Sequence, residues 1–162
     1  MNFEKYPFER LNELLANITP NENYELSALT IGEPKFETPA FIQKILQENT
    51  HLLQKYPASV GLPELKEAMI NFVQKRFNVK LQMNEIVSTF GTREALFNFP
   101  QYALFDKKNP VIAFTNPFYQ IYEGAAIASR AEVIHINLTK ENNFKAELDE
   151  AELKRCDLVI LN

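Results

Sequence analysis

Hydrophobic residues recur at helical spacing, separated by charged and polar residues, in six stretches of the chain. In "PFERLNELLANI", for example, Phe8, Leu11 and Leu15 follow one another at intervals of three and four positions. Such a pattern is typical of a helix with one apolar face. It predicts helices over 7–18, 40–53, 63–77, 93–105, 118–129 and 149–155.

Short runs rich in β-branched residues alternate with the later helices. They predict strands over 85–90, 110–114, 132–138 and 157–161. Strands that alternate with helices at this spacing indicate crossover connections in a mostly parallel sheet, sandwiched by helices. The predicted fold class is therefore α/β. Earlier in the chain, the apolar run from Leu26 to Ile31 predicts an extended segment that leads into an irregular loop.

The last predicted strand bears on the extent of the chain. It is apolar from Leu158 to Leu161, as expected of a strand buried on both faces of a sheet. The sequence stops at Asn162, before any helix that would cover this strand. We therefore expect these residues to be the amino-terminal portion of a longer protein.

Composition and charge exclude several classes of function. Of the 162 residues, 46% are hydrophobic and 12% aromatic, as in a globular protein with a buried core. The formal charge is -4 and the basic residues are interleaved with acidic ones, which argues against a nucleic-acid or anionic-membrane surface. A single cysteine, Cys156, excludes an intrachain disulfide. The amino terminus lacks a signal-peptide core, and we predict a cytoplasmic protein.

The segment "VSTFGTREALFNF" offers the first candidate chemistry, because a β-rich run gives way to a helix at Gly91. In one interpretation, Thr92 caps the helix and Gly91 makes the turn. In the other, the free N–H groups of the first helical turn and the Thr92 hydroxyl bind a phosphate group. Tyr119 follows another change from strand to helix, where its ring could stack on a flat ligand or pack on the core. The residues alone leave both alternatives open.

Other motifs give little support for chemistry. The sequence has no glycine-rich nucleotide loop, zinc-protease motif or hydrolase elbow. His51 and His135 are far apart and have no acidic partners at metal-ligand spacing, so we interpret both as structural residues. Cys156 is predicted to be a buried, unreactive residue. No metal site is predicted.

Four segments, in this order, carry a resemblance to a known family. They are "LTIGEPKFETP", "YPASVGLPELKEAM", "VSTFGTREALFNF" and "NPFYQIYEGAA". Together they resemble the amino-terminal part of the class I/II aminotransferases, which are fold-type I enzymes that use pyridoxal 5'-phosphate. The resemblance covers nearly the whole chain. It implies a segment at 1–39 that forms an amino-terminal arm and part of the small domain, and the first part of the cofactor-binding large domain at 40–162.

The resemblance also implies roles for individual residues. Gly91, Thr92 and Arg93 would bind the cofactor phosphate, and Tyr119 would stack on the pyridine ring. Tyr56 would reach the phosphate of the other subunit in a homodimer that shares its active sites. The backbone at Gly32 would contact the substrate carboxylate.

The family's catalytic lysine has no counterpart here, since no lysine of this chain stands in the corresponding sequence context. We therefore name no catalytic residue, and we expect this part of the chain alone to be inactive. Asn162 resembles the first asparagine of the family's N-x-P-x-N-P-T-G stretch, and the lysine would lie beyond it.

The resemblance implies an enzyme that transfers an amino group between an amino acid and a 2-oxo acid. The segments "YPFERL", "GEPKFETP" and "NPFYQIYEGAA" are most similar to the succinyldiaminopimelate aminotransferases of bacterial lysine biosynthesis. Aspartate aminotransferase and a carbon–sulfur lyase of the same fold remain alternatives, as does a non-catalytic fragment. A regulator fused to a DNA-binding module is disfavoured, because no basic cluster or helix-turn-helix-like segment precedes residue 26.

Overall fold

The computed structural model describes residues 5–25, 27 and 29–162, which belong to two compact units, Met1–Pro57 and Ala58–Asn162. The helices are α1 (Pro7–Leu15), α2 (Ala40–Glu48), α3 (Pro63–Phe77), α4 (Thr92–Leu104), α5 (Ile121–Ala128) and α6 (Glu150–Arg155). The strands are β1 (Val111–Asn116), β2 (Glu132–Asn137) and β3 (Leu158–Ile160). The first four residues of the predicted amino-terminal segment at 1–39, and residues 26 and 28 of the predicted extended run, lie outside the described part.

Two helices begin with a proline, as their sequences predict. Pro7 opens α1 and Pro63 opens α3, where the fixed φ of proline suits the first helical turn and its missing N–H is not needed. α3 ends at Phe77, and the following residue, Asn78, caps it in a left-handed conformation with φ of 56° and donates its N–H to Gln74 O. The predicted bounds of α3 are confirmed. α1 ends three residues before the predicted end, at Leu15.

The predicted single helix over 40–53 is wrong, because two side chains end α2 early. Asn49 Nδ2 donates to Ile45 O at 2.8 Å, and Thr50 Oγ1 donates to Gln47 O at 3.2 Å. Such side-chain bonds compete with the next backbone bonds of a helix. The chain continues as a 3-10 helix over Thr50–Gln54.

The three strands form a parallel sheet in the order β2-β1-β3. In the centre, Phe114 of β1 is in register with His135 on one side and Ile160 on the other. The helix α5 connects β1 to β2, and α6 lies in the connection from β2 to β3. The predicted α/β class with a parallel sheet is confirmed.

The core lies on both faces of β1, whose residues from Val111 to Thr115 are all buried. Because side chains alternate along a strand, Ile112 and Phe114 face one side of the sheet. There they pack with Leu104 of α4 and with residues of α5. On the other face, the cluster consists of Val111, Ala113, Ile134 and Ile136, covered by Leu148, Cys156 and Val159.

Two of the predicted strands differ from expectation. The segment 85–90 forms no strand with any described residue, and Val87 is 76% exposed. A strand needs a partner, and the pairing partner is not specified by the local sequence. β3 is half-buried instead of buried on both faces, because within the described residues only β1 pairs with it.

A close approach links the loop before α3 to the segment before α4. Gly61 has φ of +77°, and a Cβ atom at this position would lie 2.9 Å from Ser88 Oγ. The Ser88 hydroxyl is itself buried and finds no hydrogen-bond partner in the described part of the chain. The absence of a side chain at Gly61 therefore allows the two segments to touch.

None of the helices in the described residues combines the length and the apolar character that crossing a membrane requires.

Candidate functional site

The carboxyl end of β1 leads into a short turn that carries Tyr119. Asn116 ends the strand, and its Nδ2 donates to Oδ1 of Asn137 at the end of β2, at 2.8 Å. Tyr119 is 38% exposed, and its ring meets that of Tyr122 edge to face, with centroids 5.9 Å apart. Tyr122 is buried in α5. One side of the Tyr119 ring is thus supported by the helix, while the side chain remains accessible to a ligand.

The second part of the site is the first turn of α4. Gly91 occupies the N-cap with φ of 87° and ψ of 164°, and Thr92 is the first helical residue. No side chain caps this helix. The interpretation in which Thr92 caps the helix is therefore wrong, whereas Gly91 does make the turn. The N–H groups of Thr92, Arg93 and Glu94 precede the first intrahelical hydrogen bond of an α-helix.

Glu94 was not among the predicted site residues, yet it shapes this turn. Its Oε2 accepts the backbone N–H of Phe90 at 2.5 Å, and Thr89 Oγ1 donates to Gly91 O at 3.1 Å. The Glu94 carboxylate is thereby held by the chain before the helix. An acidic residue three positions after an N-cap is the sequence signal for a bond back to the N-cap N–H, and here the carboxylate binds the N–H one residue earlier, at Phe90.

This arrangement fits an anionic group. The first turn presents backbone N–H donors and the positive end of the helix dipole. In the described part of the chain, neither the Thr92 hydroxyl nor the Arg93 guanidinium takes part in a hydrogen bond or ion pair. Both side chains are exposed. A phosphate could therefore be bound here without displacing an existing contact.

The first turns of α4 and α5 meet in one shallow depression of about 400 Å³. It is lined by Phe90, Arg93, Glu94, Phe97 and Ile121. Arg93 is the one predicted site residue among these lining residues, and Ile121 opens α5 two residues after Tyr119, which places the Tyr119 turn beside the depression.

Gly32 and Tyr56 belong to the first unit of the structure. Both are exposed, Tyr56 to 99%, and a Cβ atom at Gly32 would meet no atom within 4 Å. The roles predicted for the six site residues stay predictions. These residues are Gly32, Tyr56, Gly91, Thr92, Arg93 and Tyr119.

None of the remaining candidate residues, His51, His135 and Cys156, lines the depression. His51 lies in the 3-10 helix, whereas His135 lies on β2 and stacks on Phe118. Cys156 is half-buried instead of fully buried, and its Sγ donates to Glu152 O at 3.2 Å. Burial raises the pKa of the Cys156 thiol, which disfavours the reactive thiolate. Within residues 5–25, 27 and 29–162, no group of three histidine, cysteine or acidic residues could hold a metal ion.

Asp157, just before β3, makes a hydrogen bond to the start of β1 and an ion pair with Lys107. Asp157 Oδ2 accepts the N–H of Val111 at 3.0 Å, and Asp157 Oδ1 lies 3.1 Å from Lys107 Nζ. The Val111 N–H and then the Lys107 ammonium lower the pKa of Asp157. The hydrogen bond and charge of Asp157 raise the pKa of Lys107. These shifts accompany a structural contact, not a catalytic one.

The fold and the position of this depression define an α/β protein of the parallel-sheet class, in which ligands lie beyond the carboxyl ends of strands and beside helix amino termini. The model of the family "Aminotransferase class I and II" matches residues 25–161. The chain therefore belongs to this family, as its four sequence segments predicted.

Individual relatives agree with this assignment. The chain is 28% identical over 163 aligned positions to the LL-diaminopimelate aminotransferase of Maridesulfovibrio salexigens, covering 97% of this chain and 41% of that protein. The structure of aminotransferase AspB from Helicobacter pylori 26695 is similar with a TM-score of 0.94 and 53% identity, over 99% of this chain and 42% of that one. An aminotransferase from Neisseria meningitidis Z2491 gives a TM-score of 0.83 and 39% identity, over 96% and 41%. The chain thus spans about two fifths of the length of these relatives.

Proposed function

We propose that this chain forms the phosphate-binding and ring-binding part of a pyridoxal-phosphate-dependent aminotransferase. The whole protein would transfer an amino group between an amino acid and a 2-oxo acid. The observation that carries the proposal is the uncapped first turn of α4, beside the turn that carries Tyr119, in a member of the aminotransferase family. When bound, pyridoxal phosphate supplies the electron sink for amino transfer.

The phosphate would be held by the residues that open α4. The N–H groups of Thr92 and Arg93 would donate to its oxygens, together with the Thr92 hydroxyl, and the Arg93 guanidinium would add positive charge. A hydrogen bond to a charged group contributes about 1.5 to 3 kcal/mol. Two or three such bonds at a helix amino terminus would anchor the cofactor by its phosphate.

The cofactor ring would be held by Tyr119. Its accessible side chain could stack face to face on the pyridine ring, while Tyr122 supports it from the side. Stacking of this kind contributes about 0.5 to 1.5 kcal/mol beyond the buried area. Together, the helix terminus and the aromatic ring would fix both position and orientation of the cofactor.

Two further residues complete the proposal. The 99% exposure of Tyr56 leaves its hydroxyl available to the phosphate of a second subunit, which supports a homodimer with shared sites. The free space around Gly32 would let a substrate carboxylate approach the backbone. The catalytic lysine would be supplied by sequence beyond Asn162. We also propose a cytoplasmic location, which the acidic composition supports.

We propose a diaminopimelate derivative as substrate, with succinyldiaminopimelate as the first candidate and lysine biosynthesis as the pathway. The naming of the Maridesulfovibrio salexigens relative as an LL-diaminopimelate aminotransferase supports the diaminopimelate class. Aspartate and a sulfur-containing amino acid are the alternatives to be tested beside it.

The cofactor half of the proposal is tested by titrating the chain with pyridoxine 5'-phosphate in a calorimeter, since this analogue lacks the aldehyde that reacts with surface lysines. Thr92→Val should weaken binding about ten- to a hundredfold, because one hydrogen bond to a charged group is lost. Tyr119→Leu should weaken it about three- to tenfold, whereas Tyr119→Phe should retain most of the affinity. Tyr102→Leu, which is 76% exposed in wild type and lies late in α4, is the control that should bind as wild type. Binding that is absent in wild type, or insensitive to Thr92→Val and Tyr119→Leu alike, would contradict the proposal.

The substrate half requires the full-length protein together with pyridoxal phosphate. Turnover is compared for LL-diaminopimelate and N-succinyl-LL-diaminopimelate with 2-oxoglutarate, for aspartate with 2-oxoglutarate, and for cystathionine with detection of pyruvate. Glutamate formation from a diaminopimelate derivative would support the proposed substrate. Preference for aspartate or release of pyruvate would identify an alternative activity.

A further inference from the structure

The rings of Phe114, Phe118 and His135 form an aromatic cluster to which the proposed function assigns no role. The His135 imidazole stacks on Phe118 with ring centroids 5.5 Å apart and planes inclined by 20°. It also meets Phe114 edge to face at 5.3 Å, with planes inclined by 80°. Phe114 and Phe118 in turn lie 5.0 Å apart. The three rings therefore contact one another pairwise.

Phe118 directly precedes Tyr119, so contacts of the Phe118 ring also restrain the backbone that carries Tyr119. The Phe114 ring of β1 is completely buried and packs against one side of the Phe118 ring. His135 of β2 covers a face of the same ring. The backbone that carries Tyr119 is thus held at its preceding residue by two different strands.

Two other contacts restrain the same turn. At its start, Leu138 N donates to Asn116 O at 2.9 Å, beside the amide pair of Asn116 with Asn137. At its end, the Tyr119 ring rests on Tyr122. Between these two restraints, Phe118 holds the middle of the turn through its contact with Phe114 and its stack on His135.

We propose that His135 is a positioning residue for the cofactor ring: by stacking on Phe118, it fixes the turn from which Tyr119 presents its ring. This inference rests on the proposed cofactor site. Loss of the imidazole would leave a face of Phe118 uncovered and widen the range of conformations open to the turn. A ligand that needs Tyr119 would then lose affinity, because ordering the turn would have to accompany binding.

The test compares two ligands of the same chain. Pyridoxine 5'-phosphate would use both Tyr119 and the first turn of α4, whereas inorganic phosphate would use the α4 turn alone. His135→Ala should weaken binding of pyridoxine 5'-phosphate about three- to tenfold, with phosphate affinity unchanged. His135→Phe should restore the affinity, since it supplies a flat ring in place of the imidazole.

A double-mutant cycle separates positioning from general stability. In a Tyr119→Leu background, His135→Ala should cause no further loss of pyridoxine 5'-phosphate affinity, because the ring to be positioned is gone. Equal losses with and without Tyr119, a parallel loss of phosphate affinity, or no loss at all in the single variant would overturn the inference. If Tyr119→Leu itself has no effect on pyridoxine 5'-phosphate binding, the proposed site fails and the inference with it, so the two failures are distinguishable.

Discussion

Gly91→Ala tests whether the backbone conformation at the start of α4 depends on glycine. Gly91 has φ of 87° and ψ of 164°, a region that residues with a side chain rarely adopt. A Cβ atom there would meet no other atom within 4 Å, so a steric clash contributes nothing. The expected destabilisation is therefore backbone strain alone, about 1 to 3 kcal/mol. This is a large fraction of a typical free energy of unfolding of about 5 to 15 kcal/mol.

Urea denaturation followed by circular dichroism measures this loss. With a slope of about 1 to 3 kcal/mol per molar urea, the midpoint should fall by roughly 1 M while the slope is unchanged. Gly124→Ala, inside α5, is the matched control, because its new Cβ would make an ordinary 3.8 Å contact with Phe97 of α4. That variant should be stabilised by about 0.5 to 1 kcal/mol through helix propensity. A Gly91→Ala variant as stable as wild type would refute the reasoning.

Three further changes probe the second unit. Phe114→Ala should lower the free energy of unfolding by about 3 to 5 kcal/mol, because the ring is completely buried. The control Phe105→Ala, at a side chain that is 79% exposed, should change it by less than about 0.5 kcal/mol, and thermal unfolding compares the two variants. Asp157→Asn should make the free energy of unfolding fall less steeply in acid. Because the pKa of Asp157 is lowered in the folded state, its contribution is fully present above the unfolded-state pKa of about 3.9 and is lost as pH falls through the folded-state pKa. Urea midpoints measured from pH 6 to about pH 2 test this. A wild-type-like acid limb in the variant would contradict that assignment. Ser88→Ala should match or exceed wild type in melting temperature, because it removes a buried hydroxyl without a partner, and a clear decrease would show that the hydroxyl is satisfied in solution.

The sequence predicted those parts of the fold that are encoded locally. Pro63 and the apolar spacing after it predicted α3 with its observed bounds, and the alternation of strands and helices predicted the parallel sheet. The end of α2 was missed because Asn49 and Thr50 bind carbonyl groups that the helical pattern assigns to the backbone. The segment 85–90 has strand composition, but pairing depends on a distant partner and does not follow from composition.

In the candidate site, too, local features could be predicted from the sequence and contacts between distant segments could not. Gly91 and Tyr119 were predicted as site residues because a glycine or an aromatic residue stands out where a strand gives way to a helix, and their roles stay predictions. The hydrogen bond from Phe90 N–H to Glu94 had a local sequence signal, because an acidic residue stands three positions after the N-cap Gly91. The stack of His135 on Phe118 had none, because it joins two elements whose neighbourhood depends on the register of β1 and β2.

The contact of Gly61 with Ser88 has a consequence for how this sequence can diverge. A side chain at position 61 would need both a tolerated φ near +77° and the space now taken by the Ser88 hydroxyl. The two positions are therefore not free to vary independently among homologous chains. Where residue 61 gains even a methyl group, we expect residue 88 to become glycine or alanine, or the loop between Ala58 and Leu62 to change length. We therefore expect homologous chains to show paired substitutions at positions 61 and 88, caused by the close approach of the Gly61 backbone to the Ser88 hydroxyl.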